Sequence, residues 1–162
     1  MSTTCGGVRL EAPTPRLAVR GLILHEDRLF LVNAYPGQES DLWCAPGGGV
    51  EPGTSLPENL IREIAEETGL RVEVGALALV NEFHDPANGF HQVDLFFRCS
   101  LPDPGTPGIP ARWRDPEGVV NRFRLVTRAE YAGLRVKPDS LGAAAWNPSG
   151  TPLYDALEVI VR

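Results

Sequence analysis

"GGGVEPGTSLPENLIREIAEETGL", residues 47–70, decides how the rest of the chain is read. It holds five glutamates (Glu51, Glu58, Glu63, Glu66 and Glu67) and one arginine, Arg62. Ser55, with Pro57 behind it and Glu58 three residues on, forms a capping-box pattern with proline in the first turn. Leu56, Leu60, Ile61, Ile64 and Ala65 are spaced for one helix face, and Gly69 is placed to close the helix. A helix over 56–68 follows. Glu63, Glu66 and Glu67 lie three and four apart on it, and like charges at that spacing cost about 0.2–0.5 kcal/mol per pair. Acids near a helix C-terminus also oppose its dipole. The bland reading is a solvated acidic face. The glycines ahead of the helix argue for another. They expose carbonyl oxygens and allow close backbone approach, and carboxylates beside a carbonyl make an oxygen-rich site suited to Mg²⁺ or Mn²⁺. The natural co-ligand of such an ion is a phosphate.

Outward from this segment the chain reads as strands with interspersed helices, an α/β layered domain. Residues 1–15 are read as a loose tail or edge strand. "LAVRGLILHEDRLFLVNAY" (17–35) predicts two strands turning at the polar "HEDR", and "LWCAPGG" (42–48) a short strand entering the glycine turn. Strands are expected over 72–85 and 91–101, the second apolar on both faces and therefore central. "PDPGTPGIPARWRDPEG" (102–118), with five prolines, predicts a long irregular loop, a kind that is often functional. A strand over 119–126 and a helix from Thr127, boxed by Glu130, follow; "TPLYDALEVIVR" (151–162) is read as a terminal helix. No repeat or linker divides residues 1–162, so one domain is expected.

Composition narrows the function. The formal charge is −6, from 15 basic and 21 acidic residues. A negative field disfavours nucleic-acid polymers as partners but not small phosphorylated ligands. No run approaches a membrane span, and the N-terminus lacks the apolar core of a secretory signal, so a cytoplasmic protein is expected. Cys5, Cys44 and Cys99 form neither a metal-ligand spacing nor a disulfide framework. No Gly-Lys-Ser/Thr follows the glycines, and "GGGVEPG" lacks the dinucleotide fingerprint.

The same residues resemble the signature of the Nudix hydrolases, nucleoside diphosphate-X hydrolases of MutT type. Gly48 stands at its opening glycine, and Arg62, Glu63, Ile64, Glu66, Glu67, Gly69 and Leu70 match in register. "LWCAPGGG" resembles the strand that leads into the box. The resemblance implies an α/β/α sandwich around a mixed β-sheet and Mg²⁺-dependent hydrolysis of a nucleoside diphosphate linked to another group; Mn²⁺ is an alternative ion. It implies that Glu63, Glu66, Glu67 and the Gly47 carbonyl hold the metal, with Arg62 steadying the glutamates. One position departs: Thr54 stands where the family has a glutamate that pairs with the box arginine. Its hydroxyl is an uncharged substitute. In many relatives a late-loop acid assists as base or ligand, for which Glu117 is the first candidate, Asp115 the second and Glu82 the third. Trp43, Phe83, Phe90 and Trp113 are candidates to stack on a base, and Arg112, Arg114, Arg122 and Arg124 to meet phosphates. His84 and His91 flank "DPANGF", as polar turn residues or as phosphate or metal contacts. Pro86, sixteen residues past Leu70, matches a spacing associated with ADP-ribose-type members. Nucleotide sugars, nucleoside triphosphates and dinucleoside polyphosphates stay open as substrates. A homodimer is compatible with the sequence. The alternative is a catalytically weak nucleotide-binding or regulatory module with the same fold.

Overall fold

A computed structural model describes residues 13–102, 115–147 and 149–162. Strand β1 (Arg16–His25) turns into β2 (Arg28–Asn33) through Glu26 and Asp27, whose φ angles of 48° and 59° fit a two-residue turn matched to strand twist. The strand expected over 42–48 divides into β3 (Trp43–Cys44) and β4 (Gly47–Gly49). Helix α1 (Leu56–Thr68) carries both bonds of the Ser55–Glu58 capping box and ends at Gly69 in the left-handed conformation. The long pair β5 (Glu73–Asp85) and β6 (Phe90–Ser100) follows, then β7 (Phe123–Val126), α2 (Arg128–Ala132), α3 (Leu141–Trp146) and β8 (Leu153–Val159).

Among the described residues the strands form one mixed sheet in the order β3-β2-β1-β6-β5-β8, with β4 on β1 and β7 on β2. β1 runs parallel to β6, and β5 parallel to β8; the other pairs are antiparallel. β6 is central, as its two apolar faces predict. Two cores lie on opposite faces of the sheet. One packs Leu60 and Ile64 of α1 on Val19, Ile23 and Phe30. The other packs Leu141, Ala144 and Ala145 of α3 on Leu22, Leu29, Leu79 and Phe96. This is the expected α/β/α sandwich.

Two expectations change, and one helix was not expected. Residues 153–159 are a strand, not a helix. The run "LYDALEV" holds only two strong β-formers, Tyr154 and Val159, and it is the parallel partner along β5 that satisfies its backbone where an isolated terminal helix would bury little. The strand expected over 119–126 begins only at Phe123, because Asn33 Oδ1 accepts the amides of Asn121 and Arg122 in place of a ladder partner. Helix α3, rich in small residues, gave no periodic signal. No helix among the described residues is long and apolar enough to cross a membrane.

Candidate active site

The acidic residues of α1 are positioned by backbone that has no room for side chains. Gly47 sits at φ 150° against β1, where a Cβ would come within 1.9 Å of the Val19 carbonyl oxygen. At Gly48 a Cβ would meet Glu63 Oε2 at 2.1 Å. The two glycines therefore let the turn lie directly against β1 and the Glu63 carboxylate lie directly against the turn. Glu67 accepts the Gly47 amide at 2.9 Å, while the Gly47 carbonyl accepts Arg20 Nη1 at 3.1 Å.

Arg62 gathers the remaining acids. Its Nη1 lies 2.9 Å from Glu63 and 3.2 Å from Glu66, and its Nη2 faces Glu51 at 3.6 Å. Glu58 is not among its partners, being committed to the cap of α1. Thr54 is exposed and enters this network through its backbone, its carbonyl accepting from Asn59 at 3.0 Å and its amide donating to the Glu51 carbonyl at 3.3 Å. Burial pushes the Glu67 carboxyl up to about 7 against the pull of Arg20 and the Gly47 amide. Glu63 is raised in the same sense, first by burial and then by Glu66 and Glu117, with Arg62 opposing. Burial opposes the Arg62 charge, yet Glu63, Glu51 and Glu66 hold it above its ordinary range.

Among the described residues no three His, Cys, Asp or Glu side chains converge tightly enough to enclose an ion as they stand. Arg62 holds Glu63 and Glu66, and Glu67 leans on Gly47. The donor set still suits a hard divalent cation. Several carboxylates and a carbonyl meet at a surface kept free of Cβ atoms, and burial raises two of the acids, Glu63 and Glu67, so that an added cation would favour their charged forms.

Beside this surface opens a cavity of about 320 Å³, whose lining includes Gly47, Gly48, Glu67 and Glu117. Phe83, Phe90 and Tyr35 supply aromatic lining. Its polar floor is a relay across β1 and β6. Arg16 donates to Gln92 at 3.1 Å, Gln92 to Asp94 at 2.9 Å, and Arg20 to Asp94 at 3.4 Å. Arg20 then reaches the Gly47 carbonyl, so the floor of the cavity is wired to the glycine turn. Lys137, Glu158, Ile160 and Val161 also line the cavity, with the Tyr35 hydroxyl donating to the Val161 carbonyl at 2.7 Å.

The sequence candidates divide accordingly. Glu63, Glu66, Glu67, Arg62 and Gly47 come together, and Glu117 and Phe83 line the cavity. Asp115 is buried and accepts the amides of Glu117, Val119 and Val120, which makes it the organiser of the loop that carries Glu117. Glu82 bonds the Tyr154 hydroxyl and pairs with His91 at 3.4 Å, and is not part of the cavity lining. His84 and His91 are a cross-strand pair. Trp43 is corrected as a stacking candidate. It is a core residue, outside the cavity lining, with the guanidinium groups of Arg122 and Arg124 at 5.4 and 5.2 Å from its ring centre. Arg122 and Arg124 lie outside the cavity lining as well. Arg112, Trp113 and Arg114 lie outside the described residues. Sequence reasoning missed Arg16, Arg20, Gln92 and Asp94. A signal existed: Gln92 and Asp94, two apart, put polar groups on one face of a strand read as central.

A family model described as the NUDIX domain matches residues 14–146. The chain belongs to that family. It is 37% identical over 101 residues to the YjhB protein of Bacillus subtilis, covering 60% of this chain and 47% of that one. It is 32% identical over 83 residues to an "ADP-ribose pyrophosphatase" of Methanocaldococcus jannaschii, covering 51% and 49%. The chain thus spans about half the length of these curated relatives. A Nudix hydrolase structure from Nitrosomonas europaea superposes with a TM-score of 0.65 at 21% identity, over 81% of this chain and 86% of that one. That likeness shows the fold.

Proposed function

We propose that this chain hydrolyses the phosphoric anhydride of a nucleoside diphosphate joined to a second group, with Mg²⁺ (or Mn²⁺) held by Glu63, Glu66, Glu67 and the Gly47 carbonyl. The observation that carries the reading is a shared wall. The Cβ-free cradle of Gly47 and Gly48 faces the α1 carboxylates and also lines the cavity, so a diphosphate on the metal site leaves its organic end in the cavity. Bound Mg²⁺ supplies charge neutralisation of the diphosphate and a lowered pKa for water. The chain's own groups do the rest. Glu67 gives up its proton when the site fills. Arg62 limits where Glu63 and Glu66 can swing. Glu117, at the cavity end of its loop, accepts a proton from the attacking water. The water oxygen bonds to phosphorus, the bridging P–O bond breaks, and two phosphate monoesters leave.

The cavity's aromatic lining and its relay of hydrogen-bonding groups fit a nucleoside. The name of the Methanocaldococcus jannaschii relative and the Pro86 spacing favour ADP-ribose-type substrates among the open classes. A panel of ADP-ribose, nucleotide sugars, nucleoside triphosphates and dinucleoside polyphosphates, assayed with and without Mg²⁺, tests this. Mg²⁺-dependent release of nucleoside monophosphate from ADP-ribose is expected. Tight nucleotide binding without turnover of any compound would instead make the chain a binding module.

A further inference from the structure

We infer that Asn59, with Glu51, is a positioning residue: the two hold Arg62 and, through it, set the direction of Glu63 and Glu66. This rests on the metal-dependent reading above.

Asn59 is anomalous where it stands. It lies in the first turns of α1, is fully buried, and is a poor helix former with a polar head. Burying an amide is tolerated only when its donors and acceptor are satisfied. Here they are. Oδ1 accepts the Glu51 amide at 2.9 Å and Arg62 Nη2 at 3.3 Å. Nδ2 donates to the carbonyls of Thr54 at 3.0 Å and Ser55 at 2.8 Å. Oxygen takes two N–H donors and nitrogen meets two carbonyls, so the orientation of the amide is fixed by its own bonds. One side chain thereby ties the 51–55 turn to Arg62.

Arg62 needs such a tie. Its Nε is buried without a hydrogen-bond partner, so its place depends on what grips the two Nη atoms. Nη1 faces Glu63 and Glu66. On the other side Nη2 has Asn59, Glu51 at 3.6 Å, and the Gly49 carbonyl at the 3.5 Å limit. Thr54 offers it no side-chain bond. Glu51 is largely exposed, and a pair of that kind contributes little alone. Asn59 is the fixed point, and Glu51 adds charge to it.

A merely structural role for Asn59 would be to join the turn to the helix. The two roles separate in a cycle of Asn59→Ala, Arg62→Lys and the double variant, each assayed for kcat, KM and the Mg²⁺-induced rise in Tm. Positioning through Arg62 predicts a kcat loss of roughly 10–100-fold in Asn59→Ala with little change in KM, the range for removing the support of a metal ligand. It also predicts a smaller Mg²⁺ response. The double variant should be no worse than Arg62→Lys alone, because a residue acting through another adds nothing once that one is gone. If Asn59→Ala does not fold, Glu51→Gln takes its place, since its exposed side chain can be changed without opening the core; a loss of a few-fold, absent in the Arg62→Lys background, is expected. Additive losses, or wild-type kcat and Mg²⁺ response in these variants, would overturn the inference while leaving the hydrolase reading intact. A wild-type protein with neither Mg²⁺ response nor turnover would overturn both.

Discussion

Residues 47–70 and the cavity beside them meet at one wall but are assembled in opposite ways. The first is a single stretch of chain in which turn, cap, helix and acids are set by local spacing. The second draws its lining from Arg16 on β1 to Val161 beyond β8, with contributions from β5, β6 and the 115–120 loop. Geometry within a contiguous turn and helix changes little when distant parts of the sheet vary. A cavity lined from seven strands and a loop changes with each of them. The metal-binding chemistry is therefore expected to sit in the contiguous part, joined by Glu117 from the loop, and the choice of substrate in the rest of the dispersed part. Variants in the first and at Glu117 should lower kcat, and variants elsewhere in the second should raise KM.

Glu67→Gln should have the largest effect. Loss of an ionised ligand is expected to lower kcat/KM beyond the ~10–100-fold that loss of an outer-shell partner costs. Metal-free, the variant should be at least as stable as wild type, because a carboxylate that resists ionisation is replaced by a neutral amide. Full Mg²⁺-dependent turnover by Glu67→Gln would end the metal-site account of α1. Glu117→Gln comes next, where removal of a general base commonly costs ~10²–10⁴-fold in kcat. Its stability should be unchanged. Asp115→Asn should instead weaken the loop that carries Glu117, because a carboxylate accepting three amides loses acceptor strength. A normal kcat in Glu117→Gln would move the base elsewhere.

The third effect is on stability and depends on pH. In the metal-free protein Glu67 titrates near 7, against an ordinary 4.5. The folded state then binds its proton more tightly than the unfolded chain does. Between about pH 4.5 and 7 stability should fall as pH rises, by at most ~3 kcal/mol from this one group. The loss is complete above the folded value and absent below the unfolded one. Saturating Mg²⁺ should flatten the slope, since the ion stabilises the ionised state it binds. Chemical denaturation at a series of pH values, with and without Mg²⁺, gives both slopes; a metal-free stability that rises across this interval would contradict the burial of Glu67.

The same division decides how much the sequence disclosed. Helix α1, its caps and its acids were legible because each rests on a spacing of three or four residues. The hairpin, β5 and the central place of β6 were legible from alternation and apolar runs. The cavity was not, because nothing local links Arg16 to Gln92 or Tyr35 to Val161; those pairs exist only once β6 lies beside β1 and β8 beside β5. β8 itself was misread because its state is decided by a partner strand rather than by its own residues. Trp43 was misassigned because an aromatic next to a motif has the same sequence whether it faces the core or the ligand.

The smallest expected effect is the one that tests the cavity directly. Phe83 and Trp43 were both candidates for stacking on a base, Trp43 with the weaker claim as a residue expected to be partly buried next to the box strand, and of the two only Phe83 lines the cavity, its ring centre 6.0 Å from that of Phe90. An aromatic contact contributes about 0.5–1.5 kcal/mol beyond its buried area. Phe83→Leu, which keeps an apolar side chain in the sheet, should therefore raise KM about two- to tenfold and leave kcat and Tm close to wild type. Trp43→Phe should do the reverse. It removes bulk from the core and a surface on which two arginines rest, so Tm should fall while KM stays near wild type. Steady-state kinetics and thermal melts on the two variants make the comparison. A raised KM in Trp43→Phe with an unchanged KM in Phe83→Leu would place the base on the other side of the sheet's rim and detach the cavity from substrate binding.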